Sequence, residues 1–168
     1  MSPTKYTEDK MSNGGLHIAE QAPDFTLPTD GGGEISLSSL RGNMVVLYFY
    51  PKDMTPGCTT QAISFSALKK DFAALGAIII GMSKDTTNRH DKFIAKHDLN
   101  ITLASDVDGK TSETYGVWVL KKLYGREYMG IERSTFLIGA DGKILNIWRK
   151  VRVKDHAEAV LAFAKSVT

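Results

Sequence analysis

Cysteine is the scarcest reactive residue in this sequence: among 168 residues there is one, Cys58. A disulfide within the chain is thereby excluded, as is a zinc site built on several cysteines. Net charge is small too. Lys and Arg number 21 against 19 Asp and Glu, leaving +2, and the basic residues are scattered instead of forming a stripe that follows a phosphate backbone. The densest pairs, Lys121-Lys122 and Arg149-Lys150, read as solvated surface, so no nucleic-acid partner is expected. No apolar run approaches the ~20 residues of a membrane span; the most hydrophobic stretch, residues 44–50, has only the length of a strand. No membrane association is expected either. The polar residues 1–16 lack the apolar segment of a secretory signal, and a reducing cytoplasm is the expected location.

The 42% hydrophobic and 24% charged content is that of a soluble globular protein. The length suits one core that needs neither metals nor disulfides. The expected organisation is a flexible N-terminal tail over residues 1–17 and one domain over 18–168. The domain begins near Ala22-Pro23-Asp24-Phe25, followed by a turn at residues 29–33 and a short strand or bridge at 35–37. Residues 44–50, a continuous β-branched and aromatic run, read as a strand buried on both faces. After the loop 51–56, Cys58, Ala62, Phe65, Leu68 and Phe72 recur at the spacing of an amphipathic helix. A strand over 77–82, a helix capped by Asp85 and a strand over 101–103 continue the alternation, which predicts parallel βαβ units. A turn at 106–109 leads to a short helix through Tyr115 and an irregular aromatic segment over 117–128. Strands over 134–138 and 143–148, joined by Gly139-Ala140-Asp141-Gly142, then form a hairpin before a final helix over 154–167. The pattern predicts an α/β fold of thioredoxin-like type, with a central mixed sheet flanked by helices.

The loop from Pro51 to Cys58 joins the strongest strand to the clearest helix, a preferred place for a site in an open α/β sheet. Pro56 suits the first helical position and Thr55 the cap, which puts Cys58 at the third helical residue. There, unpaired N–H groups and the helix dipole favour a thiolate. On the residues alone two readings stand: a reactive thiol, or a small buried hydrophobe in a capped helix. Arg133 opens a strand whose following residues look buried. It is read either as a rim partner of Glu132 or as a cation paired with the Cys58 thiolate.

The run Tyr48-Phe49-Tyr50-Pro51-Lys52-Asp53-Met54-Thr55-Pro56-Gly57-Cys58-Thr59-Thr60-Gln61-Ala62 resembles the active-site segment of peroxiredoxins, specifically of the bacterioferritin-comigratory (Q-type) subfamily. The likeness extends from Ala22-Pro23-Asp24-Phe25 through Gly116-Val117-Trp118 and Arg133-Ser134-Thr135-Phe136-Leu137-Ile138 to the final helix. It implies a thiol-dependent peroxidase that reduces hydrogen peroxide and organic hydroperoxides, serving antioxidant defence and redox homeostasis. Cys58 is then the peroxidatic cysteine, oxidised to a sulfenic acid. The family pattern Pro-x-x-x-Thr-x-x-Cys falls on Pro51, Thr55 and Cys58, and the family arginine on Arg133. On that reading Thr55 orients the attacking oxygen, because its hydroxyl donates and accepts at once. Arg133 stabilises charge on the leaving oxygen, and Pro51, lacking an N–H, shields the sulfur from water. Neither a cofactor nor a metal is implied.

One departure from the subfamily matters: many members carry a resolving cysteine five residues after the first, where this sequence has Ile63. An external thiol reductant (thioredoxin, glutaredoxin or glutathione) is therefore implied, acting on a monomer or weak homodimer. The alternative is a peroxide-sensing or binding module without efficient turnover. A cysteine hydrolase would need a histidine base, and His17, His90, His97 and His156 lie in the tail, in helices or at helix starts. His90 and His97 read as surface residues of a helix, not as metal ligands. Trp118 and Phe49 are read either as lining the substrate entrance or as aromatic core.

Overall fold

Local chemistry sets most element boundaries in the computed structural model, which describes residues 15–168. The expected tail over 1–17 falls outside the described residues except for Gly15, Leu16 and His17. Strands β1 (Thr26–Pro28) and β2 (Glu34–Ser36) pair antiparallel around a 3-10 turn at Asp30–Gly32. Then follow β3 (Met44–Phe49), α1 (Pro56–Ala67), α2 (Lys69–Ala74), β4 (Ala77–Ser83), α3 (Thr87–His97) and β5 (Thr102–Ser105). The second half holds α4 (Lys110–Thr114), β6 (Trp118–Leu123), β7 (Arg126–Ile131), β8 (Ser134–Ile138), β9 (Ile144–Trp148) and α5 (His156–Ser166).

The five-stranded sheet has the order β5-β4-β3-β8-β9. β3 and β4 are parallel, as are β4 and β5, whereas β8 is antiparallel to both β3 and β9. This is the mixed, helix-flanked sheet of the thioredoxin-like fold. Every residue of β3 is buried, because helices and loops cover both faces. Val46 and Tyr48 face Cys58, Ala62, Phe65, Phe93 and Val160 in one core. Val45, Leu47 and Phe49 face Phe25, Tyr115, Val117, Ile131 and Phe136 in the other. Phe65 stacks on Tyr48 with ring centroids 4.7 Å apart and fastens α1 to the sheet. Truncating such a fully buried ring costs about 3–5 kcal/mol.

Three expectations are corrected. The helix that starts near Cys58 is not continuous through Phe72: Leu68, at φ −98° and ψ 5°, separates α1 from α2. Spacing alone does not reveal the break, since Phe65 and Phe72 both stay on the buried side across it. The cap of α3 is Thr86, whose hydroxyl accepts from the Arg89 N–H, while Asp85 is engaged with Ser83, Arg89 and the N–H of Asp53. Third, the segment 117–128 is not irregular. Most of it belongs to the β6–β7 hairpin, closed by Tyr124 (φ 52°) and Gly125 (φ 77°). Two successive left-handed residues match a two-residue type I′ turn, but a tyrosine in that conformation is a poor sequence signal.

Candidate active site

The sheet register brings the expected residues together. β3 ends at Phe49, which pairs with Ser134 at the start of β8, so Arg133 falls just past the end of β3, beside the loop that leaves it. At the end of that loop Thr55 occupies the N-cap of α1 with extended backbone (φ −89°, ψ 154°), Pro56 the first helical position and Cys58 the third. The thiol is 2% exposed. The first backbone N–H groups of a helix have no acceptor within it, and Cys58 lies in that first turn. From the sheet side, Nη2 of Arg133 donates to Cys58 Sγ at 3.4 Å. No ion pair between Arg133 and Glu132 is formed among the described residues.

Arg133 is held in turn by Gln61, one helical turn beyond Cys58, whose Oε1 accepts from Nη1 at 2.6 Å. Gln61 is buried, and its amide nitrogen has no hydrogen-bond partner among the described residues. Gly57 makes room for the guanidinium: a Cβ there would lie 3.3 Å from Nη2. Gln61 has no place among the sequence-derived site residues, although its position on the Cys58 face of the helix was the available signal.

Thr55 and Pro51 sit differently. The Thr55 hydroxyl donates to the Lys52 carbonyl at 2.9 Å, closing the loop on itself beside the helix start. Pro51 is an exposed residue of the same loop. Phe49 is core, packed against Tyr115 and Phe136. Trp118 is half-buried under the Lys84 ammonium, 4.0 Å from the ring centroid.

Other charges converge on the sulfur. Burial lowers the Lys121 ammonium below the usual lysine range; Arg133 adds to the effect, and Glu132 and Cys58 oppose it. Lys121 is thus half-buried near the site, not free surface, and its stem lies across Gly130, where a Cβ would meet it at 3.2 Å. Lys122 is exposed as expected and pairs with Glu127. Arg149 also departs from the surface reading: it is half-buried, its guanidinium 5.6 Å from the Phe136 ring centroid. Burial, with Cys58 and Asp53 adding to it and Arg133 opposing, holds the Tyr48 phenol well above its ordinary range.

His90 is corrected most sharply. It is fully buried, 2.6 Å from the Asp53 carboxylate. Asp53 lies in the Cys58 loop, and Tyr50 also donates to it. The signal was the spacing on α3, where His90, Phe93, Ile94 and His97 mark one helical face. Among the described residues no group of three or more His, Cys, Asp and Glu is arranged to hold a metal ion.

Comparison with known proteins is consistent along nearly the whole chain. The model of the AhpC/TSA family matches residues 18–147. Peroxiredoxin Bcp of Bacillus subtilis is 49% identical over 153 residues, covering 91% of this chain and 98% of the relative. Peroxiredoxin Bcp of Escherichia coli K12 is 39% identical, covering 89% and 96%. Among solved structures, Peroxiredoxin Q of Xanthomonas campestris superimposes with a TM-score of 0.84 at 42% identity, covering 92% of this chain and 98% of the other. A Xylella fastidiosa PrxQ mutant gives 0.86 at 36%, covering 90% and 97%.

Proposed function

We infer the chemistry of this chain from its family: it belongs to the AhpC/TSA family and, within it, to the Bcp (Q-type) peroxiredoxins. It is a thiol-dependent peroxidase that reduces peroxides and serves antioxidant defence. Its substrates are hydrogen peroxide and organic hydroperoxides. A solved relative from Xanthomonas campestris, described for alkyl peroxide reduction, is 43% identical over 85% of this chain and 91% of its own, with a TM-score of 0.82.

The Cys58 thiolate attacks one peroxide oxygen. A sulfur–oxygen bond forms, the O–O bond breaks, and its electron pair leaves on the other oxygen, which takes a proton and departs as water or an alcohol. Sulfur is oxidised to the sulfenic acid and the peroxide is reduced. The observation that carries this reading is the 3.4 Å bond from Arg133 Nη2 to Cys58 Sγ at the third residue of α1. One guanidinium favours the anionic sulfur before attack and stabilises charge on the departing oxygen after it. Thr55, at the mouth of the helix, turns its hydroxyl from the Lys52 carbonyl to the bound peroxide, and Pro51, exposed in the same loop and lacking an N–H, shields the sulfur from water.

With one cysteine in the chain, the cycle closes through an external thiol. Its thiolate attacks the sulfenic sulfur, releasing water and leaving a mixed disulfide, which a second thiol resolves. Thioredoxin, glutaredoxin and glutathione all supply that chemistry. Among the described residues no helix is long and apolar enough to cross a membrane, and the need for a reducing thiol pool favours the cytoplasm. The working unit is a monomer or weak homodimer.

A steady-state assay with each reductant in turn tests the assignment. Many turnovers per chain are expected with at least one of them, and none with Cys58→Ser, whose hydroxyl is far less ionised at neutral pH. Peroxide consumption retained by Cys58→Ser would exclude the mechanism.

A further inference from the structure

The loop that presents Cys58 is fastened from beneath by a buried polar cluster that the peroxidase chemistry does not use. Asp53, 1% exposed, lies five residues before the thiol. Its Oδ1 accepts from the Tyr50 hydroxyl at 2.5 Å and its Oδ2 faces His90 Nδ1 at 2.6 Å. Its N–H donates to Asp85 Oδ2 at 2.8 Å, and its carbonyl accepts from Arg89 Nη2 at 3.3 Å. His90, on α3, is wholly buried, and its other ring nitrogen lies 3.1 Å from the Ala104 carbonyl on β5. Both ring nitrogens and both carboxylate oxygens thus have a partner at hydrogen-bond distance.

The cluster holds a strained piece of chain. Met54, the next residue, is at φ 66°, a left-handed conformation that a side chain other than glycine adopts at a cost. It is exposed, so no packing of its own keeps it there. The backbone turns at Met54 because Asp53 is pinned on one side and the Thr55–Lys52 bond closes the other. The helix that carries Cys58 as its third residue begins two residues after Met54.

Cys58 is 2% exposed. A small peroxide needs little space to reach it, whereas a thiol carried on a protein must come within bonding distance of the sulfur. The second step therefore requires the loop to leave its place. A restraint on the loop acts oppositely on the two half-reactions: it favours attack on peroxide, which needs Cys58 held against Arg133, and opposes reduction by a large thiol.

We propose that Asp53 and His90 are positioning residues for Cys58, a buried latch that ties the loop to α3 and β5 and sets how often it opens. The proposal rests on Cys58 being the peroxidatic thiol. Loss of turnover in Cys58→Ser tests that assignment separately.

The latch is tested by measuring both half-reactions by stopped flow in Asp53→Asn, His90→Gln and Tyr50→Phe. The last removes one hydroxyl and keeps the test open if the others do not fold. The rate constant with hydrogen peroxide is expected to fall about tenfold or more, as misplacement of a reacting group does. Reduction of the sulfenic acid by thioredoxin is expected to rise several-fold relative to reduction by dithiothreitol. Amide hydrogen exchange is expected to quicken over residues 52–58 and stay unchanged in β3 and β4. A purely structural role would slow both half-reactions together in proportion to the folded fraction. That result, or two unchanged rate constants, would overturn the latch.

Discussion

A single guanidinium is divided between two tasks at this site, and the division is visible in its two terminal nitrogens. Nη2 of Arg133 serves the sulfur and Nη1 serves Gln61, so the bond to Gln61 fixes the angle at which the charge meets Cys58. Arg133→Met keeps an unbranched apolar stem and removes both bonds. The rate constant for Cys58 oxidation is expected to drop by roughly 10²–10³, the range seen when one donor to a developing anion is lost. Stopped-flow oxidation with hydrogen peroxide at pH 7 measures it, and a loss of less than threefold would show that the helix N-terminus alone activates the thiol. The places of Cys58 at a helix start and of Arg133 beside a strand start were legible in the sequence, and so was their contact through the resemblance. The pairing of Asp53 with His90 was not, because it spans 37 residues and depends on how α3 lies against the loop.

At the scale of the element, α1 carries two residues of opposite fate. Cys58 faces the core and Ile63 is 45% exposed on the outer side. Five residues apart on an intact helix, their Cα atoms are roughly 8–9 Å apart, beyond the ~7 Å limit for a disulfide. Ile63→Cys is nevertheless expected to form the 58–63 cross-link under peroxide, with loss of helicity in the first turns of α1. Mass spectrometry of the non-reduced, peroxide-treated variant reads it. A persistent sulfenic acid with no cross-link would show that the helix does not open. Among the elements, β3 was fully legible, since an unbroken β-branched and aromatic run has few alternatives. The β6–β7 hairpin was not, because Leu120, Leu123, Tyr128 and Met129 are all substantially exposed and blur the alternation between faces. The break at Leu68 was hidden for the opposite reason, as the apolar stripe runs on across it.

Across the whole molecule, acid acts through His156, which joins the start of α5 to the sheet. Its Nε2 lies 2.8 Å from Thr135 Oγ1, and its ring stands edge-on to Phe65 and Trp148. Burial, with the charge of Arg133 adding to it, lowers His156 to about 4 from 6.5. In the unfolded chain the imidazole takes its proton near 6.5, whereas in the fold it resists protonation until about 4. Its contribution is thus intact above 6.5 and is lost progressively as the pH falls toward 4. About 2 kcal/mol is expected to disappear across that window once solvent screening is allowed for. Urea denaturation of the wild type and His156→Gln at pH 7.5 and 4.5 measures it, the variant losing less. Equal losses would place the acid sensitivity elsewhere. The overall α/β architecture was readable from the order of strands and helices, but the His156 contact was not, for it joins a strand and a helix that only the finished packing brings together. The lone, covered thiol has one more consequence: the chain comes with its own built-in reporter. Alkylation by iodoacetamide has a single target, so its stoichiometry is one without any engineered label. At low reagent its rate counts the fraction of molecules open at a given moment, and at high reagent it approaches the opening rate itself.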